Sequence, residues 1–173
     1  MPATPKAPGP VFREVSVTDA GSLALLTAYF SDRQSSFPVE QGAYRTTFPV
    51  AGDFLPPNGV FLLVGEPSGN PEQAWVGCGG IRRIGDTPGG GPRYEVKHLW
   101  LQPGTRGRGW GRALLAELER RARLFGAAEL VLDTNASLRA AGALYRSAGF
   151  ADCPPYNDNP NATNWYRKSL ARD

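Results

Sequence analysis

The chain has 173 residues, 41% of them hydrophobic, with a formal net charge of +3 and only two cysteines. That length and apolar content fit one folded domain with a substantial core, and no apolar run approaches the roughly 20 residues of a membrane span. The charge is too small to argue for nucleic acid, and Cys78 and Cys153, without paired metal-ligand spacing, read as reduced thiols.

Residues 1–10 carry four prolines and one lysine with no apolar core, so a disordered tail is expected there, outside a domain over 11–173. The tail is built neither as a secretion signal nor as a transit peptide, which makes the cytoplasm the expected location. Residues 11–17 predict a first strand, after which Thr18 or Asp19 can cap a helix running to about residue 30. Residues 31–58 are hard to assign, although a short helix could lie between their aromatic residues and prolines. Residues 60–64 and 74–84 predict strands, and residues 85–92 a glycine-proline hairpin loop. Residues 94–101 form the next expected strand, ended by the Pro103-Gly104 turn. Trp110, Leu114, Leu115, Leu118, Ala122 and Phe125 recur at helical spacing. A continuous apolar run over 129–133 predicts a buried strand, and residues 137–148 a helix with Gly149 suited to the C′ position. Residues 162–170 should be the last strand, reached through a polar loop over 154–161. No internal repeat is present, and alternating strands and helices imply an α/β architecture.

The most informative stretch is Arg106-Gly107-Arg108-Gly109-Trp110-Gly111-Arg112, between a predicted strand and a predicted helix. Three glycines at alternate positions let the backbone turn its N–H groups inward. A helix N-terminus adds free donors and the positive end of the dipole, so the loop suits phosphate. Arg106, Arg108 and Arg112 strengthen that preference, whereas Arg120, Arg121 and Arg123, opposed by Glu117 and Glu119, read as a solvated helix face. The rival reading of the loop is an ordinary glycine-rich turn with solvated arginines.

Arg106-x-x-Gly109-x-Gly111 resembles the R/Q-x-x-G-x-G/A acetyl-CoA signature of the GNAT N-acetyltransferase superfamily. The run Glu95-Val96-Lys97-His98-Leu99-Trp100-Leu101-Gln102-Pro103 is similar to that family's central fourth strand. Leu132-Asp133-Thr134-Asn135, followed by Ala143-Leu144-Tyr145-Arg146-Ser147-Ala148-Gly149-Phe150, resembles its second cofactor motif, in the family's order and spacing. The segment from Pro155 to Lys168 resembles a bacterial branch with few assigned substrates, many of whose members carry His where this chain has Thr163 or Asn164.

The resemblance implies a mixed α/β sheet flanked by helices, with the fourth and fifth strands splayed and acetyl-CoA as cosubstrate. No metal is implied. Backbone contacts to the pantetheine arm are then expected from Leu99, Trp100 and Leu101. Cofactor contacts are expected from Arg106, Gly107, Arg108, Gly109, Trp110, Gly111 and Arg112, with the phosphates held by the amides of Gly107, Gly109, Gly111 and Arg112, so that bulk at Gly109 or Gly111 would matter more than a change at Arg108. Tyr145 sits where many members place the tyrosine that protonates the departing thiolate. The competing role is a core aromatic, because Leu138, Ala141, Tyr145 and Ala148 share one helical face. Asn135 corresponds to an asparagine that touches the cofactor arm or a bound water, a role compatible with capping the next helix.

Glu95 is the candidate general base, directly or through water, at a position where several members carry such a glutamate. On strict alternation it shares a face with Lys97 and Leu99, so a Glu95–Lys97 ion pair is the alternative, and His98 lies on the opposite face unless a bulge intervenes. His98 ranks second as a base. Nothing near Cys78 would activate it, which favours direct transfer over an acetyl-enzyme. By analogy the acceptor pocket is built from residues 32–48, residues 79–82 and residues 155–164. Phe37, Tyr44, Arg82 and Glu95 are candidate substrate contacts, Glu40 a holder for an ammonium, and Arg45 or Arg82 for a carboxylate.

The acceptor expected is a small-molecule amine or an exposed peptide amine. Dimers are common in the resembled family, and no residue pattern here marks a homodimer interface. Two other readings stand beside this one. A dinucleotide-binding domain would use Gly107, Gly109 and Asp133, but Arg112 replaces its third glycine and no second half follows. A non-catalytic acyl-CoA-binding sensor or partner module of the same fold would keep the cofactor residues and lack the chemistry.

Overall fold

The computed structural model describes residues 8–68, 70 and 74–170. Residues 1–7 of the expected tail lie outside that set, and residues 8–10 enter the first strand without regular structure. In chain order come strand β1 (Val11–Glu14), helix α1 (Ala20–Ser36), short 3-10 turns at Val39–Gln41 and Ala51–Phe54, β2 (Gly59–Gly65), β3 (Trp75–Asp86) and β4 (Pro92–Leu101). A 3-10 turn at Pro103–Thr105 precedes α2 (Trp110–Leu124), β5 (Glu129–Thr134), α3 (Arg139–Ser147), β6 (Ala151–Cys153) and β7 (Asn164–Ser169).

The strands form one sheet in the order β1-β2-β3-β4-β5-β7-β6. β4 and β5 run parallel, and the other neighbouring pairs are antiparallel. β2 is buried along its whole length because helices cover both sheet faces: Val60, Leu62 and Val64 face α2, while Phe61 and Leu63 face α1. α2 contributes Trp110, Leu114, Leu115, Leu118 and Ala122 to the first of these layers. Each fully buried leucine there stabilises the fold by about 1.5–3 kcal/mol relative to exposure. α1 covers the opposite face with Leu25, Leu26 and Phe30, against Phe54, Cys78 and Trp100.

Several boundaries differ from the sequence expectation, each for a local reason. β1 stops at Glu14 because Ser16 begins a turn, its hydroxyl accepting from Thr18 N at 3.2 Å. The cap of α1 is Asp19, which accepts from Gly21 N at 3.0 Å. α1 runs past residue 30 to Ser36, where Ser35 and Ser36 hydroxyls bond back to the Asp32 carbonyl at 3.0 and 2.8 Å. It stops when Phe37, held extended before Pro38, leaves helical geometry (φ −71°, ψ 134°). The rest of the unassigned segment holds the two 3-10 turns. β6, absent from the expectation, is a three-residue edge strand with little burial, so it carries no hydrophobic period to detect. The last strand is shorter than expected, at Asn164–Ser169.

Candidate active site

β4 and β5 pair only through Arg93↔Glu129, Tyr94↔Leu130 and Glu95↔Val131. Beyond Glu95 the strands separate, leaving one edge of β4 from Val96 to Leu101 without a strand partner. A cavity of about 500 Å³ occupies the gap. Its walls come from Val96 to Leu99 on β4 and Leu132 to Thr134 on β5, with Asn135 just beyond, and Tyr145 reaches in from α3. Phe30, Phe37, Tyr44 and Phe48 form an aromatic side, with the Phe37 and Tyr44 rings 5.5 Å apart.

A bulge shapes the β4 wall. Cys78 pairs with Trp100 and Gly80 with Lys97, so Gly79 alone faces both His98 and Leu99. His98 takes φ 56°, a left-handed conformation uncommon for a residue with a Cβ. The extra residue changes the face assignments expected from strict alternation. Glu95, Lys97 and His98 lie on the α1 side, whereas Leu99 turns toward α2. The His98 ring packs edge-on against Tyr29 and Phe30, at 5.6 and 5.7 Å. Its Nδ1 is buried with no hydrogen-bond partner, and burial pushes its pKa down to about 3. Cys78, beside the bulge, is fully buried and its thiol is pushed up to about 12, which leaves it unreactive.

The glycine loop leaves the C-terminal end of β4, the end at which the strands part. Gly107 (φ 79°) and Gly109 (φ 78°) are left-handed, and a Cβ at either would meet open space, so backbone conformation alone selects glycine there. Gly111 has no positive φ, and a Cβ there would sit 3.5 Å from Leu144 Cδ2, an ordinary contact. A methyl side chain therefore fits at Gly111, in keeping with the Gly or Ala of the motif. Gly109 caps α2 without a side chain, and the first backbone bond to its carbonyl comes from Ala113 N at 3.1 Å. The amides of Trp110, Gly111 and Arg112 thus lie in the turn whose donors have no i−4 acceptor within the helix.

The three loop arginines are each held within the protein. Arg106 donates to the Leu101 carbonyl at 3.1 Å and to Asp32 at 3.2 Å. Arg108 pairs with Glu66 at 2.9 Å and stacks on Trp110, and Arg112 bonds Ser147 at 2.7 Å. Trp100 and Leu101 are buried on opposite faces of the sheet and, unlike Leu99, their side chains do not line the cavity.

Glu95 is 1% exposed and does not line the cavity. Arg82 Nε and Nη2 both reach its Oε2 at 2.9 Å. Its Oε1 accepts from Tyr156 at 2.9 Å and Lys97 at 3.2 Å, with Asn157 at 3.4 Å. The alternative ion pair with Lys97 is therefore formed, as one contact of a wider network. Lys97 also bonds Asp133 at 3.3 Å, and Asp133 accepts from Asn157 and Asn159 at 2.6 and 3.2 Å. Burial works against the Lys97 charge, but Glu95 and Asp133 outweigh it and hold its pKa above the usual range.

Tyr145 packs as a core aromatic, its ring 5.8 Å from Tyr166 and 6.3 Å from Phe150, and the residue also lines the cavity. Burial raises its pKa, so the phenol is protonated throughout the neutral range. Asn135 is 6% exposed and donates to Gln41 and to the Asn161 carbonyl, at 2.7 and 3.0 Å. Its carbonyl accepts from Ser137 N at 3.0 Å, capping the turn before α3 rather than the helix itself. Phe37, Tyr44, Arg45 and Arg82 line the cavity, whereas Glu40 is exposed on a 3-10 turn outside it.

A model of the Acetyltransferase (GNAT) family matches residues 24–150, most of the chain. The chain belongs to the GNAT acetyltransferase family. Among relatives, an IAA acetyltransferase of Azospirillum brasilense is 44% identical over 81 residues, covering 47% of this chain and 50% of that protein. The chain spans about half the length of the curated relatives it matches. A Klebsiella pneumoniae structure assigned as an acyl-CoA N-acyltransferase is 27% identical, with a TM-score of 0.68 over 94% of this chain and 98% of that one. The fold also matches a chain of the NatC complex bound to Gag peptide and CoA (TM-score 0.67, 17% identity, 95% and 100% covered).

Within this GNAT fold, two features of the cavity were not legible in the sequence. Asp133 was legible only as part of a motif, yet it is the one carboxylate residue on the cavity lining. Arg33 lay in the unassigned segment and gave no signal until α1 was seen to extend through it. Among the described residues no helix is long and apolar enough to cross a membrane, and no group of three His, Cys, Asp or Glu could hold a metal ion.

Proposed function

We propose that this GNAT domain, residues 11–173, is a cytoplasmic N-acetyltransferase that moves an acetyl group directly from acetyl-CoA to a primary amine. The observation that carries the reading is the cavity at the parted ends of β4 and β5, at the same sheet end as a glycine loop with free helix-start amides. The residues present fit the cosubstrate. Gly107 and Gly109 turn the backbone without side chains, and the amides from Gly107 to Arg112 suit a pyrophosphate. The unpaired edge of β4 over Leu99, Trp100 and Leu101 suits the amides of an extended pantetheine arm.

Bound acetyl-CoA supplies an acetyl thioester. The acceptor nitrogen forms the new bond to the acetyl carbon as the carbon–sulfur bond breaks, the proton lost by the nitrogen passes to solvent water, and the thiolate gains a proton. Tyr145, protonated on the cavity wall, donates to the departing sulfur. Asn135 fixes the loop that closes the cavity, through Gln41 and Asn161. Glu95 has both oxygens engaged by donors, so its part is to hold Lys97 and Arg82 in place. Phe37, Tyr44 and Arg82 contact the acceptor.

The test is thermal stability of the purified protein with acetyl-CoA, CoA or NADH, together with acceptor-dependent thiol release. A ligand at about 100 times its dissociation constant adds about 2.7 kcal/mol, a rise of roughly 5–10 °C for a chain of this size. Shifts with both CoA species and none with NADH are expected, and no shift with either CoA species would overturn the reading. Tyr145→Phe is expected to slow thiol release about 10- to 100-fold while keeping the CoA-induced shift. Undiminished turnover would remove Tyr145 from the chemistry.

A further inference from the structure

The cavity carries an unbalanced charge. Four cationic side chains line it, from Arg33, Arg45, Arg82 and Lys97, against the single carboxylate of Asp133. Arg82 and Lys97 are neutralised from below by Glu95 and from the side by Asp133. Arg33 and Arg45 are not. Arg33 has a side chain only 17% exposed, and among the described residues its one carboxylate partner is Asp32, at 3.6 Å. That same Asp32 oxygen already accepts from Trp100 at 2.9 Å and Arg106 at 3.2 Å. The Arg33 guanidinium donates no hydrogen bond among the described residues. Its guanidinium lies 5.2 Å from the Tyr29 ring centroid. Arg45 has no ion pair among the described residues, while its backbone is clamped by Asn161 at 2.9 and 2.8 Å.

We infer that the acceptor is a small amine that also carries a carboxylate on an apolar body, with Arg33 as its anchor and Arg45 at the mouth of the cavity. This rests on the acetyl-transfer reading above. A half-buried guanidinium with unused planar donors is matched by a carboxylate, which it can bind through two parallel bonds. The aromatic side of Phe30, Phe37, Tyr44 and Phe48 supplies the surface for the apolar body. The charge excess also bears on reactivity. Nearby cations disfavour an ammonium, so an amine admitted by its carboxylate is shifted toward the neutral nucleophile. An amine with no anionic group meets only the repulsion. Burial raises the Tyr145 phenol and Arg33 acts against that rise, which places the Arg33 charge within electrostatic reach of the reacting end.

The test compares matched amines on the unmodified protein: phenylalanine, phenylalaninamide and phenethylamine, and tryptophan with tryptamine. Binding is read by calorimetry with and without CoA, and transfer by thiol release from acetyl-CoA. The carboxylate members are expected to bind and turn over about 10- to 100-fold better than their partners, the range of a charge-assisted contact. Arg33→Gln is expected to erase most of that preference while keeping the CoA-induced thermal shift. Equal or better binding of the carboxylate-free amines, or no binding of any carboxylate member at millimolar concentration, overturns the inference. So does an Arg33→Gln loss that falls equally on both members of a pair, or turnover of peptide amino termini in preference to free amino acids. Should CoA fail to bind while the carboxylate preference holds, the acetyl-transfer reading falls and the anion site stands.

Discussion

His98 gives the sharpest test of the site's electrostatics, because it is the sole histidine of the chain. Its ordinary value of 6.5 falls to about 3 in the fold, through burial first and then the Lys97 and Arg82 charges. Between those values the unfolded chain binds a proton that the folded one refuses. Stability must therefore fall as pH falls through 6.5, and the loss continues down to about 3. Linkage gives a contribution of about 0.2 kcal/mol lost at pH 7 and about 2 kcal/mol lost at pH 5, a difference of about 2 kcal/mol. That corresponds to a drop in melting temperature of roughly 4–8 °C. Carboxylates have ordinary values below pH 5 and contribute little in this window. The assay is urea unfolding at pH 7 and pH 5 on the wild type and on His98→Asn, asparagine being tolerant of the left-handed conformation at this position. The wild type should lose about 2 kcal/mol between the two pH values and the variant much less. Equal losses in both proteins would refute the buried, unpaired imidazole.

The loop glycines should separate in behaviour. Gly109→Val forces a branched residue into a left-handed conformation, costing about 1–2 kcal/mol, and should weaken the CoA-induced thermal shift. Gly111→Ala should keep that shift and gain up to about 1 kcal/mol as a helical alanine, and a shift lost in this variant would contradict the assignment of the loop. Glu95→Gln leaves Arg82 and Lys97 without their shared carboxylate and should cost about 3–5 kcal/mol in denaturant unfolding. A loss under about 1 kcal/mol would mean that the network contributes little to stability.

Much of this protein was legible in the chain itself, because its signals are local. Backbone freedom at Gly107 and Gly109, the apolar stripe from Trp110 to Ala122 and the unbroken apolar run of β5 each depend on residues close in sequence. Those signals were enough to place the glycine loop between strand and helix and to imply the family fold. Segments without a hydrophobic period, such as the end of α1 and the three residues of β6, left no comparable trace.

Tertiary structure decided what the side chains near the cavity can do. Strict alternation put Leu99 beside Glu95, and one bulged residue at His98 replaced it, since a period of two is reset wherever a strand gains a residue. The loop arginines look free in sequence, yet Asp32, Glu66 and Ser147, distant in the chain, take them up. Glu95 draws its donors from β3, β4 and the loop before β7, and Arg33 is left without a full partner because the nearest carboxylate oxygen is already shared. Local pattern sets the backbone path because each residue's conformation answers to its neighbours. The charge and availability of a side chain depend instead on long-range partners, and only the folded chain brings those within hydrogen-bonding distance.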